Sequence, residues 1–168
     1  MPCKEGKMTD KTKVVEVAGQ RWQFRRMTPV QGSYIWQRLM AAMFRSAQSQ
    51  SAAAQVEQSA EDKARIEEAL AKATPEDRLR TTCGIGFMFL TFEEMEFVQK
   101  AALAVTSRLE RPAGATDEQP MPVQMSDGRW AVPELEDDPN LVTQLTTEAL
   151  VFNLASFLRT GGATTTAT

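Results

Sequence analysis

Histidine is missing from all 168 residues, and cysteine occurs only at Cys3 and Cys83. Nucleophilic triads and zinc sites draw on histidine or on several cysteines, so catalysis by those routes is all but excluded. One cysteine in a polar tail and one in an apolar segment make no disulfide framework. They read as reduced thiols of a cytoplasmic chain. No Gly-x-x-x-x-Gly-Lys sequence is present, and "GIG" is too short for a dinucleotide fingerprint. Positive charge is not in excess: 19 Lys and Arg stand against 22 Asp and Glu, a net charge of −3. Nucleic-acid binders concentrate cations to displace counterions, so nucleic acid is not an expected partner. The longest strongly apolar run, "TTCGIGFMFLTF", falls short of the roughly 20 residues a membrane helix needs. No signal-peptide pattern is seen, and a membrane is not an expected partner either.

What is present suits a globular protein: 42% of residues are hydrophobic and 24% charged, which is enough apolar content for a core. The stretch "KVVEVAGQRWQFRR" alternates apolar and polar residues, the period of a strand with one buried face. Strands over 13–18 and 21–26, joined by Gly19-Gln20 in a type II′ turn, would set Val17 opposite Trp22 and Val15 opposite Phe24. All four then share one face, while Glu16, Arg21, Gln23 and Arg25 take the other. A lone hairpin is barely stable in water, so this one must pack on helices or on another strand. Arg25 and Arg26 beside two aromatic rings would also suit a nucleic-acid patch, but the net charge favours a core face backed by a solvated one.

Helix start signals then recur. Thr28-Pro29 with Gln31 opens a helix whose body, "SYIWQRLMAAMF", is apolar almost all round and is expected to be buried on more than one side. Residues 46–58 are rich in Ala, Ser and Gln and read as a mobile or helical insertion. Ser59 caps an exposed helix over 61–73, supported by Glu61–Arg65 and Glu68–Lys72 pairs. Thr74-Pro75 with Asp77 predicts a helix placing Leu79, Cys83, Gly86, Phe87 and Leu90 on one side. Over 81–90 a buried strand fits the apolar run as well, though the cap favours helix. Gly84 and Gly86 would then let helices approach closely. Thr91 with Glu94 caps a helix over 92–109, with a packing stripe of Met95, Val98, Ala102, Val105 and Leu109.

Residues 111–120 read as a mobile linker, and 121–133 as a second hairpin turning at Asp127-Gly128. Asp138-Pro139 opens a last helix over 140–158. The fold class expected is mainly α (α+β), a bundle of about five helices with one or two small hairpins. It forms a single domain over 13–159, between a disordered tail at 1–12 and a flexible end at 160–168. The acidic group Glu93-Glu94-Glu96 sits at a helix start, where acids are favoured, and Glu134, Glu136, Asp137, Asp138 lack calcium-loop spacing. No catalytic residue, metal or cofactor is expected.

The order of these parts resembles the tail assembly chaperones of long-tailed bacteriophages. The resemblance rests on the opening strand pair "VVEVAGQRWQFRRMTP" and on the closing helix "LVTQLTTEALVFNLASFL", which carries Asn153 near the chain end. It covers 14–44 and 92–158 in pattern. Leu154 follows Asn153 where the family has an aromatic residue, and 45–73 has no counterpart. The resemblance implies a protein that binds the tape-measure protein, a long, helical, aggregation-prone chain, and keeps it soluble while tube subunits polymerise. It implies residence in the host bacterial cytoplasm and absence from the mature virion. A longer frameshifted form in many members recruits the tail-tube protein.

Apolar excess on the helices, including Met40, Met43, Met88 and Met95, fits such a binding surface or self-association. The expected partner groove is lined by Trp36, Met40, Met43 and Phe44 of the first long helix and by Leu150, Phe152, Phe157 and Leu158 of the last. The competing reading is a structural virion protein, such as a tail, baseplate or adaptor subunit.

Overall fold

The computed structural model describes residues 11–53, 68, 72–125 and 127–160, with backbone alone at 46, 49–53 and 156–160. In chain order the elements are β1 (Thr12–Val17), β2 (Gln20–Arg25), α1 (Pro29–Ala53), α2 (Pro75–Met88), α3 (Phe92–Ala104), β3 (Thr106–Glu110), β4 (Gln119–Pro122), α4 (Glu134–Asp137) and α5 (Pro139–Thr160). The fold is mostly helical with a small four-stranded antiparallel sheet of order β1-β2-β3-β4. Two compact units divide the chain: Met1–Thr28 with Val98–Asn153, and Pro29–Phe97 with Leu154–Thr168.

The first of these, the strand unit, is organised by β2. Trp22 and Phe24 are both fully buried, while Val15 and Val17 of β1 are half-buried on the same face. The register differs from expectation by two residues: Val15 faces Trp22, Lys13 faces Phe24 and Val17 faces Gln20. The turn explains the difference. It is made by Ala18 and Gly19, with φ of 52° and 73°, and two positive φ values make a type I′ rather than a type II′ turn. Glycine takes the second central position, and alanine bears the left-handed strain at the first. A displacement of two keeps each side chain on its face, so the apolar face survives the change. The Trp22 Nε1–H donates to the Val17 carbonyl at 3.1 Å and pins that register.

The other edge of β2 pairs with β3, Trp22 opposite Arg108 and Phe24 opposite Thr106. The helix expected over 92–109 therefore stops at Ala104, and its last four residues enter a strand that runs on to Glu110. Val105 and Thr106 are β-branched. The Thr106 hydroxyl donates to the Ala102 carbonyl at 2.8 Å, and the Arg25 amide donates to Val105 at 2.8 Å. A non-local pairing thus satisfies backbone that a further helical turn would have satisfied locally.

β4 lies outside β3, with Leu109 opposite Pro120 and Ser107 opposite Pro122. It takes the last two residues of the linker expected over 111–120 and the first two of the hairpin expected over 121–133. That hairpin is reduced to a turn: Gly128 has φ of 84°, and one isolated bridge joins Gln124 to Trp130. Beyond it Val132 and Leu135 are buried, and the Asp138 carboxylate caps α5 by accepting from the Leu141 amide at 3.0 Å. Leu141, Val142, Leu145, Ala149 and Leu150 follow on its buried side.

In the helix unit, α1 starts at Pro29 and extends through 53, so the first part of the expected insertion is helix. Residues 54–60, with the expected cap Ser59, and all but 68, 72 and 73 of the helix expected over 61–73 lie outside the described residues. The Glu68–Lys72 pair is seen at 2.6 Å. α1 buries one stripe, Ile35, Leu39 and Ala42, instead of being enclosed all round. α2 has the expected capping box: the Asp77 amide donates to Thr74 Oγ1 at 3.1 Å and the Thr74 amide to Asp77 Oδ2 at 3.2 Å. Such a cap contributes about 1 kcal/mol, and the segment over 81–88 is helix, as that cap favours. A Cβ at Gly86 would lie 3.1 Å from Leu39 Cδ2, so this glycine permits α2 to approach α1. At Gly84 a Cβ would meet nothing within 4 Å.

Candidate protein-contact surface

The residues expected to line a partner groove have different surroundings. Leu150 is 1% exposed and Phe152 7%, so both belong to the core of the strand unit and offer a partner almost no area. Contacts far apart in sequence accompany their burial. Asn153 Oδ1 accepts from the Met27 amide at 2.7 Å, and its Nδ2 donates to the carbonyls of Arg25 at 3.2 Å and Ala149 at 2.8 Å. The Arg26 guanidinium lies 4.1 Å over the Phe152 ring and donates to the Phe152 carbonyl. The end of β2 is thereby fastened to α5, and every polar atom of the buried amide is used. On α1, Trp36, Met40 and Met43 are half-buried, and Phe44 is 65% exposed. Phe157 and Leu158 continue α5 in backbone, and their side chains lie outside the described residues.

A denser apolar surface lies where α2 meets α3. Met88 is 77% exposed, Phe92 73%, Ile85 43% and Phe89 38%, four large apolar side chains within eight residues. The chain's longest apolar run thus enters the core only in part, at Cys83 and Gly86, and leaves its largest side chains at the surface. The caps account for this. α2 stops as the Phe89 amide turns back to the Gly86 and Phe87 carbonyls, and α3 begins almost at once, with the Glu94 amide donating to Thr91 Oγ1 at 3.3 Å and the Thr91 amide to Glu94 Oε2 at 3.0 Å. Leu79, Cys83 and Gly86 occupy the buried stripe of α2. Ile85 and Met88 lie off that stripe, and their excess over a single helix face was the available sequence signal.

The junction is held firmly. The Glu94 side chain, 13% exposed, pairs with Arg45 at 2.9 Å and Arg38 at 3.3 Å across to α1. The Thr91 backbone hydrogen bond, and then the charge of Arg45, hold its carboxyl below the usual glutamate range. Tyr34 and Phe97 meet edge to face, with centroids 5.0 Å apart and planes at 78°, and Arg38 lies 4.9 Å over the Tyr34 ring. Edge-to-face pairs add about 0.5–1.5 kcal/mol beyond area burial. The surface rests on a braced framework of two helices and a helix start.

Elsewhere the chemistry is sparse. An open polar hollow of about 450 Å³ is lined by Gln20, Arg21, Arg108, Glu110, Arg111 and Glu118. Arg21 is paired with Glu118, and Arg108 with Glu110 and with Glu134 at 3.2 Å. Burial pushes the Cys83 thiol up to about 12, which keeps it protonated and unreactive. Among the described residues no cluster of acids and cysteines is placed to hold a metal ion, and no helix is long and apolar enough to cross a membrane. The chain matches no protein-family model, no curated protein and no solved structure.

Proposed function

We propose that this chain is a tail assembly chaperone of a long-tailed bacteriophage, a binding protein that holds the tape-measure protein soluble while the tail tube assembles. The observation that carries the reading is apolar area left on the helices: Phe44, Met88 and Phe92 are each more than half exposed. Scattered surface leucines need no explanation, but several large apolar residues in one short stretch suit an adaptable contact with an amphipathic helix. Such a protein needs no cofactor and no energy source. Binding the assembly-prone chain is enough to shift it from aggregation by mass action.

The order of the parts supports the family named, from the strand pair at the start to the helix bearing Asn153 at the end. The test is co-expression with the tape-measure protein encoded beside it. The expected result is a rise in soluble tape measure and its co-purification with this chain. No rise and no complex would overturn the reading. Purified virions examined by mass spectrometry should contain none of the chain. Many copies there would favour a structural tail, baseplate or adaptor subunit.

A further inference from the structure

We propose that a second copy of this chain docks on the outer rim of β1, the two β1 strands pairing antiparallel about a two-fold axis. The proposal stands apart from the function argued above. Among the described residues β1 is an edge strand, with β2 as its one neighbour. The ladder decides which of its main-chain groups point outward. The Arg26 amide donates to the Lys11 carbonyl at 3.2 Å, so Lys11 bonds to β2, and at every second position Lys13, Val15 and Val17 do the same. The N–H and C=O groups of the alternate residues, Thr12, Val14 and Glu16, face away from β2. Thr12 and Lys13 have further interactions of their own. The outward groups of Val14 and Glu16 meet no partner among the described residues, and both residues are exposed, Val14 by 44%.

Donors and acceptors two residues apart complement their own reverse. Val14 set against the partner's Glu16, and Glu16 against the partner's Val14, gives every outward group of both residues a hydrogen bond. A register centred on Val14 would have to use Thr12, which is already engaged. The register built on Val14 and Glu16 places Val15 opposite the partner's Val15 at the axis. Val15 is half-buried on the Trp22 face, so this β-branched pair extends an apolar face that already exists. Head-to-tail stacking would need β4 as the second rim, and two of its four residues are proline. A two-fold pair needs only β1 and closes at two copies. It has one built-in weakness, which is also its signature: the two Glu16 carboxylates lie diagonally across the axis. Arg21, opposite Glu16 in β2, is engaged by Glu118.

The experiment is sedimentation velocity of the full chain over a range of concentrations. The wild type should pass from monomer to dimer as concentration rises. Val14→Pro removes an outward N–H and leaves the β1–β2 ladder its bonds. It should weaken the dimer at least about tenfold with the circular dichroism spectrum unchanged. Should that variant fold poorly, Val14→Lys puts a charge on the exposed rim and should weaken the dimer as well. Glu16→Gln should act in the opposite sense, tightening the dimer, and more at low salt than at high, because it removes the diagonal repulsion. Met88→Ser with Phe92→Ser, in the helix unit, should dimerise as the wild type does.

A wild-type chain that stays monomeric at every concentration would overturn the proposal. So would a folded Val14 variant that dimerises undiminished, or a Glu16→Gln chain that dimerises no more tightly than wild type. A dimer lost in the Met88 and Phe92 variant but kept in the Val14 variants would assign association to the α2–α3 surface and overturn the β1 pairing.

Discussion

Two apolar stretches of similar length end in opposite places. In β1 and β2 the alternation of "VVEVAGQRWQF" sends Trp22 and Phe24 wholly inside. In "TTCGIGFMFLTF" the apolar residues are consecutive, and Met88 and Phe92 stand about three-quarters exposed. The alternating stretch has one face to bury and a sheet to bury it. The continuous stretch is cut into two capped helices, each with one buried stripe, so the surplus is left on the surface. Apolar content in a sequence therefore measures how much can be buried; its periodicity measures how much will be.

The sharpest way to break this contrast is at Trp22. Trp22→Ala should destabilise the protein by about 3–5 kcal/mol, because a large aromatic side chain is removed from a filled site. Arg21→Ala, on the charged face and paired with Glu118 at the surface, should stay within about 1 kcal/mol. Urea denaturation curves compare the two directly. Similar midpoints for both variants would mean that the strand face is assigned wrongly.

Asn153→Ala should be smaller, about 1–3 kcal/mol, as it strands the buried Met27 amide that Asn153 now accepts from. Faster hydrogen exchange at Met27 should accompany the lower melting temperature. Unchanged protection there would show that the side-chain amide is not what holds the end of β2. The smallest effect belongs to the other side of the comparison. Met88→Ser and Phe92→Ser should each shift stability by no more than about 0.5 kcal/mol. Losses approaching that of Trp22→Ala would reveal packing around these side chains in the free protein and remove the reason to read them as a binding face.

The helix starts were the most legible part of the chain. Thr74 with Asp77, Thr91 with Glu94, and Asp138 all act as caps, because a cap is a contact across three residues and is written locally. The apolar face of the hairpin was legible for the same reason, since a period of two survives a register error of two. The register itself was not, because it turned on whether Ala18 would accept a positive φ. β3 was illegible from spacing alone: Val105 and Leu109 fit a helical stripe as well as a strand, and the pairing with β2 that decided the matter joins residues more than 80 positions apart. Of the groove residues, Phe44 is on the surface, whereas Leu150 and Phe152 are inside, where Arg26 donates to Phe152 and Asn153 accepts from Met27 and donates to Arg25, all across more than 120 positions. Helical periodicity cannot tell a core from a contact surface, and the α2–α3 junction was missed because its exposure depends on where two caps interrupt one apolar run.

The prolines of β4 set a direction for growth. Pro120 and Pro122 lie opposite Leu109 and Ser107 in an edge strand, and a residue without an N–H fits a ladder only where that position turns away from its neighbour. The outward rim of β4 therefore lacks amide donors at two alternate positions, and an incoming strand finds carbonyls there with nothing to return the bond. The sheet is closed to templated extension along this rim. Any chain that lengthens it, native or misfolded, has to add at β1.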